Sequence, residues 1–311
     1  MPWQLASELI NPSVPSYLTV HHVTVYRYSE PVGLGEHRMM FRPRESHDLR
    51  LRSARLDITP HPASVRWVHD VFDNSIAVVS FDCKTEELRF ETTVTLEHFE
   101  TNLPEFPLED YATHYPFQYS REDRAQLDRA LTHHYPTDLV KEWAARFARE
   151  FENQETLALL RAMTLCIKKE FKYVRRSRKG VQNPAETISS RSGSCRDYAV
   201  LMMEGARSLG LAARFVSGYI FSPRARSETV LGGGATHAWV QIYLPGAGWV
   251  DFDPTNDIVG NRNLIRVAFA WDHRQVLPLW GTFYGEASAF VGMDVTVRVT
   301  EDLFEGLDIP T

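Results

Sequence analysis

Three short stretches of this sequence bring together residue types that do chemistry in combination. They are Ser192-Gly193-Ser194-Cys195-Arg196-Asp197-Tyr198, Thr236-His237-Ala238-Trp239 and Trp249-Val250-Asp251-Phe252-Asp253-Pro254-Thr255. A thiol, an imidazole and a carboxylate are the parts of a nucleophilic acyl-transfer site, in which a base activates the thiol and the carboxylate orients the base. A lone cysteine is by default a small buried hydrophobe. Cys195 differs because it opens a helical pattern. There the unpaired backbone N–H groups and the positive end of the helix dipole lower a thiol pKa from about 8.5 and offer donors to an oxyanion. Gly193, just before it, suits a sharp entry that lets a substrate carbonyl approach this backbone. Cys83, late in a strand pattern, and Cys166, in an apolar helix pattern, lack that setting and are read as core.

His237 is one of 12 histidines, and its position sets it apart. The strand-like runs 237–244 and 249–253 flank Pro245-Gly246-Ala247-Gly248, a turn signal that makes them an antiparallel hairpin. Position 245, midway between 237 and 253, falls in that turn, so His237 and Asp253 are expected near each other at the open end. Asp251 lies two residues from Asp253 on the same face, and alternation alone does not choose between them.

These residues need elements to hold them. Residues 18–28, 54–59, 65–72, 76–82 and 88–98 alternate and are rich in β-branched and aromatic residues, which predicts an all-β, sandwich-like domain over 1–100. The Pro-punctuated stretch 101–119 reads as a linker laid against a surface. Leu139, Val140, Trp143, Phe147 and Phe151 recur at helical spacing, as do Leu157, Leu160, Met163, Ile167 and Phe171. A third helix is predicted from about 195 to 209 with Gly210 as its stop. Strands return at 213–220, 237–244 and 249–253, so residues 120–288 are expected to form an α+β core of helices and antiparallel sheet. The alternating stretch 289–299, within a C-terminal segment 289–311, is free to return to either sheet.

Composition bounds the rest. With 311 residues, 43% of them hydrophobic and 24% charged, the chain has the make-up of a folded protein of about two domains. The net charge of −6 supplies no basic field for nucleic acid. Three cysteines are too few for a disulfide framework and favour a reducing, cytoplasmic compartment. No stretch approaches the ~18 apolar residues of a membrane span. The histidines show no metal-ligand spacing on a helix pattern, so no metal or other cofactor is expected. Arg175-Arg176-Ser177-Arg178-Lys179 reads as a solvated loop, and Gly232-Gly233-Gly234 as a flexible loop or hinge.

The pattern Gly193-Ser194-Cys195-Arg196-Asp197-Tyr198-Ala199, then Thr236-His237-Ala238-Trp239-Val240, then Trp249 through Asn256, resembles the transglutaminase-like superfamily. That resemblance implies a papain-like core with a Cys-His-Asp triad in this chain order. It places the nucleophile on Cys195, the base on His237 and the carboxylate on Asp253 rather than Asp251. Residues 21–32, Phe41-Arg42-Pro43-Arg44 and Asp70 through Asn74 resemble the β-rich domain that precedes this core in bacterial members, often labelled cysteine proteases. Asp73 stands where the family more often has Gly. Animal members place a Trp in the oxyanion region, and none stands at a matching place before Cys195. Tyr173 resembles an aromatic found there in bacterial members, which implies an oxyanion or substrate-pocket position; taken alone it reads equally as packing. The implied activity is acyl transfer from a peptide or glutamine carboxamide of a protein or peptide substrate, with water or a primary amine as acceptor. The rival expectation is a binding or scaffold module on a degenerate fold.

Overall fold

In the computed structural model, residues 15–100, 107–175, 180–222 and 231–301 are described. The expected leader before residue 15, the first part of the linker, the basic residues 176–179 and the end of the tail lie outside them.

Five strands open the chain: β1 Ser16–Met39, β2 Leu49–Thr59, β3 Ser64–His69, β4 Ser75–Ser80 and β5 Lys84–His98. β1 alternates as expected, burying Leu18, Val20, His22 and Thr24, but it continues well past residue 28. Ser29-Glu30-Pro31 interrupts the pattern without ending the strand, because pairing with β5 resumes at Val32 after a register shift. Such a bulge tolerates a proline that a regular central strand would not.

The helices follow. α1 is Arg121–Leu131, α2 Asp138–Glu150 and α3 Thr156–Glu170; the short strand β6, Lys172–Tyr173, leads to α4 Pro184–Ser190, the short strand β7 Ser192–Gly193 and α5 Cys195–Ser208. α2, α3 and α5 match the periodic runs. α1 and α4 do not: α1 buries only Leu127 and Ala130, too little for an apolar stripe, and its signal was the Ser120 N-cap, which accepts from Asp123 N–H at 3.0 Å. α4 has only an Asn183 cap with Pro184 at its first position.

Then come β8 Ala213–Ile220, β9 His237–Leu244, β10 Gly248–Asp253, β11 Ile258–Val259, β12 Leu264–Ala270, β13 Leu279–Tyr284 and β14 Phe290–Glu301. One sheet runs β2-β5-β1-β4-β3, with β13 and β14 also paired to β1; the other is antiparallel in the order β11-β10-β9-β8-β12. β14 runs along the first half of β1 and β13 along the second. The chain thus returns to the first sheet at Leu279, earlier than residue 289, because the outer edge of the bent second half of β1 also needs a partner. Residues from β1, β4 and β5 share one buried cluster that includes Leu34, Val79, Leu88 and Phe90.

α5 is buried on nearly every side, as a helix at the centre of a core must be. Its far end is fixed by a fully enclosed ion pair, Arg207 Nη1 to Glu204 Oε1 at 2.8 Å. Arg207 also donates to the carbonyls of Ala130, Ala213 and Trp271, so neither charge is left without partners. The two sheets meet through a second buried network: Arg266 of β12 pairs with Asp48 and, at 3.0 Å, with Asp251, while Asn261 donates to Asp48 at 2.8 Å. Residues 107–119 lie against the core, where the Tyr119 hydroxyl donates to Tyr243 O and accepts from Ala212 N–H, both at 2.9 Å. Among the described residues no helix is long and apolar enough to cross a membrane.

Candidate active site

Cys195 is the first residue of α5 and is 7% exposed. The helix start is closed by Asp197, whose carboxylate accepts from the Ser194 N–H at 2.8 Å and the Ser194 hydroxyl at 2.9 Å. Gly193 is needed for a reason other than a sharp entry. It sits in β7, and a Cβ there would fall 2.9 Å from Asp197 Cβ and 3.1 Å from Tyr198 Cε1. β7 pairs in parallel with β6, setting Tyr173 opposite Gly193 and its half-buried phenol against Cys195.

His237 begins β9 and is 1% exposed. Its Nε2 donates to Asp253 Oδ2 at 2.8 Å, and both side chains are fully enclosed. Asp253 also accepts from Thr255 N–H at 2.9 Å and from Asn256 Nδ2 at 2.8 Å, which satisfies a carboxylate that burial would otherwise penalise. Asp251 is two residues away on the same strand face and does something else: it accepts from Trp239 Nε1 at 2.6 Å and pairs with Arg266.

The other imidazole nitrogen, Nδ1, is buried and has no hydrogen bond of regular geometry, yet it lies near enough to Cys195 for each group to shift the other's titration. We read this as contact without alignment, common at a site that tightens only around substrate. The backbone of Gly232 covers that nitrogen. Gly232 has φ +86°, and a Cβ would come within 2.5 Å of Nδ1. This turn is braced rather than loose, since Asn256 bonds both the N–H and the carbonyl of Leu231 and Val297 N–H reaches Gly234 O. The expected flexible loop is therefore, at Gly232 to Gly234, a fixed wall of the site.

Burial by itself would push the Cys195 thiol up, but the adjacent His237, through contact and charge, with help from Arg196, holds it below the usual range. Burial likewise opposes charge on His237; Asp253 and Cys195 outweigh it and raise its pKa. Asp253 is held low mainly by His237 against its own desolvation. The resting arrangement these directions favour is a thiolate beside an imidazolium. Burial and then Cys195 raise the Tyr173 phenol, so it remains a donor.

The remaining cysteines differ from expectation in degree: Cys83 and Cys166 are partly buried rather than core. The Cys166 thiol is pushed up to about 11, chiefly by burial. Arg175 is exposed. No cluster of three or more metal-ligating side chains occurs among the described residues. A groove of about 530 Å³, lined by Arg42, Arg44, Trp67 and His69 among others, lies on the first sheet and includes none of the residues around Cys195. Sequence reasoning missed the roles of Asn256 and Gly232. Asn256 had one signal, its place three residues beyond Asp253.

Comparison with known proteins agrees with this geometry at the level of family and fold. Residues 18–97 match the family described as the bacterial transglutaminase-like N-terminal region, and residues 142–254 match the transglutaminase-like superfamily. An uncharacterized protein of Mycobacterium tuberculosis is 30% identical over 300 residues, covering 92% of this chain and 93% of that protein. A protein-glutamine gamma-glutamyltransferase of Pseudomonas aeruginosa is 36% identical over 78 residues, 24% of this chain and 12% of that protein. A solved structure from Cytophaga hutchinsonii, described as a candidate cysteine protease, shares the fold with a TM-score of 0.67 at 18% identity, covering 94% of this chain and 93% of that one.

Proposed function

The chain belongs to the transglutaminase-like superfamily, and from that premise we propose that it is a cysteine-dependent acyl-transfer enzyme with Cys195 as nucleophile, His237 as acid and base, and Asp253 as the carboxylate that orients His237. The observation that carries this reading is the enclosed His237 Nε2–Asp253 Oδ2 bond of 2.8 Å, with the opposite face of the same imidazole turned to a thiol at a helix N-terminus.

The steps balance as follows. The thiolate sulfur attacks the carbonyl carbon of a peptide or glutamine carboxamide, and the π electrons move to oxygen. The N–H groups at the start of α5 and the Tyr173 hydroxyl are the donors at hand for that oxyanion. The tetrahedral centre collapses as imidazolium His237 gives its proton to the departing amine or ammonia, leaving a thioester. Neutral His237 then takes a proton from water or a primary amine, which attacks the thioester and expels the thiolate. Asp253 keeps Nε2 protonated throughout, so Nδ1 is the nitrogen that exchanges the proton.

The substrate is a protein or peptide, and the acceptor is water in a protease or amidase and an amine in a transglutaminase. Three free thiols support a cytoplasmic setting. The test is incubation with a glutamine-containing peptide library, with and without added amine, read by mass spectrometry. Cleavage, deamidation and amine incorporation have distinct mass signatures, and each must vanish in Cys195→Ala. Absence of all three from the wild type would refute the reading.

A further inference from the structure

Arg196 follows Cys195 in the first turn of α5, and no step above uses it. Its side chain runs to β8 and the segment after β12. Nη2 donates to Val276 O at 3.2 Å and reaches the Ser217 hydroxyl at 3.5 Å, and the guanidinium lies over the Phe215 ring at 5.3 Å. The residue keeps some exposure along its length, but Nη1 is shielded from solvent and has no hydrogen-bond partner.

Arg196 forms no ion pair with a described carboxylate, whereas the enclosed Arg207 and Arg266 do. Arg214, enclosed likewise without one, donates to Gln241 Oε1 at 2.8 Å and is flanked by the Trp249 and Phe269 rings, whereas Nη1 of Arg196 is left without a partner. A guanidinium held away from water without a counter-charge is strongly unfavourable. Its acidic neighbours are Cys195 and, less strongly, Asp197. The Asp197 carboxylate already caps Ser194 and accepts from Gln182 N–H. Register puts the two cations on different faces of the β8–β9 ladder: Arg196 reaches Phe215 and Ser217, whereas His237 pairs with Gly218.

We propose that Arg196 is a positioning residue whose enclosed guanidinium is the fixed counter-cation of the Cys195 thiolate. This rests on the reading of Cys195 as nucleophile. Burial pulls the guanidinium down from its ordinary range and Cys195 opposes that pull, and a guanidinium keeps its charge where an imidazole exchanges its proton. His237 loses its proton to the leaving amine, is neutral through the thioester stage and regains a proton only as the acceptor attacks, so its charge comes and goes with that proton. Arg196 stays charged throughout and stabilises the sulfur anion before attack and on its departure. No proton passes through Arg196. The other groups facing the sulfur are Tyr173 from β6 and His237 from β9, with Asp253 from β10 behind it and Asp197 on α5. His273 faces Arg196 and is pushed down to about 4, first by burial, so it stays neutral near pH 7.

The test is the pH dependence of iodoacetamide labelling in a chain carrying Cys83→Ser and Cys166→Ser, so that Cys195 alone reacts. Arg196→Met should raise the apparent thiol pKa by about one unit, adding to the rise in His237→Ala, while Arg196→Lys should stay near wild type. An unchanged curve for Arg196→Met overturns the proposal. Failure of wild-type Cys195 to label faster than an exposed thiol sinks the nucleophile reading instead, which keeps the two failures distinct.

Melting temperature supplies a second readout. Removing the anion with Cys195→Ala strands the cation, so Arg196→Met should raise the melting temperature in that background and fail to raise it in the wild type. An equal fall in both backgrounds, or failure of Arg196→Met to fold in either, makes the guanidinium structural and overturns the proposal.

Discussion

His237 and Asp253 meet one diagonal step out of register. Asp253 stands directly opposite Trp239 in the ladder of β9 and β10, since Phe252 pairs with Val240, yet its carboxylate reaches past that neighbour to His237 Nε2 at 2.8 Å. Trp239 Nε1 makes the same diagonal step to Asp251. Two parallel hydrogen bonds thus assign the two aspartates, each to one β9 side chain. Trp239 stacks beside His237 at 5.9 Å, so the Asp251 pair holds the ring on which the imidazole rests.

Asp253→Asn should therefore lower kcat by roughly two to four orders of magnitude, because an amide no longer fixes the imidazole tautomer. Asp251→Asn should leave kcat within a few-fold and cost about 2 kcal/mol of stability, through a weakened charged bond to Arg266. Steady-state kinetics beside denaturant melts separate the two, and a reversed ranking would put the orienting role on Asp251.

Cys195→Ala should abolish turnover while the protein still melts cooperatively. Cys166→Ser and Cys83→Ser should keep full kcat. Cys166 should also alkylate far more slowly than Cys195 near pH 7, since burial pushes its thiol up to about 11. Mass spectrometry of partly labelled protein gives the order of reaction directly.

The thiolate forms as pH rises through the lowered Cys195 pKa, and the imidazolium is lost as pH rises through the raised His237 pKa. Activity should be bell-shaped between these limits. Asp253 holds the His237 pKa up, so Asp253→Asn should move the alkaline limb down. His237→Ala should raise the thiol pKa seen in alkylation. Identical alkylation curves for wild type and His237→Ala would show that the two groups are not coupled.

Gly232→Ala should lower kcat by about a hundredfold with little change in stability. The added methyl meets Nδ1 of an imidazole that Asp253 prevents from retreating, and a displacement near 1 Å is worth about that factor. Gly234→Ala, where a Cβ meets nothing within 4 Å, shares the positive φ and controls for backbone strain. Equal losses in both would trace the effect to that strain.

Asp48 ties the sheets to each other. Burial opposes its charge, but Arg266 and its hydrogen bonds hold its pKa at about 2, against 3.8 unfolded. Its stabilisation is complete above the unfolded value and is lost as pH falls toward 2, a contribution of about 2 kcal/mol. Asp48→Asn should lose that amount at neutral pH and show a flatter decline in acid, measured by urea melts from pH 5 to pH 2.

Much of this was legible in the chain. Alternation marked the strands of the first sheet, helical spacing marked α2, α3 and α5, and a turn between two apolar runs brought His237 toward Asp253. These signals are local, set by the periods of backbone structure and by the chemistry of Gly and Pro. α1 and β13 escaped because they bury little, so their place is set by the surfaces they lie on. Alternation left the two aspartates open and only the family resemblance chose Asp253; tertiary structure alone decided what Asp251 does instead, why Gly232 must be glycine and that Arg196 lacks an ion-pair partner among the described residues. Each depends on groups far apart in sequence meeting where water is excluded: Asp251 is drawn to Trp239 and Arg266, Gly232 is braced by Asn256 and pressed to the imidazole, and Arg196 is enclosed by Phe215 and Val276. Sequence spacing fixes what each element can present; only packing fixes what it faces.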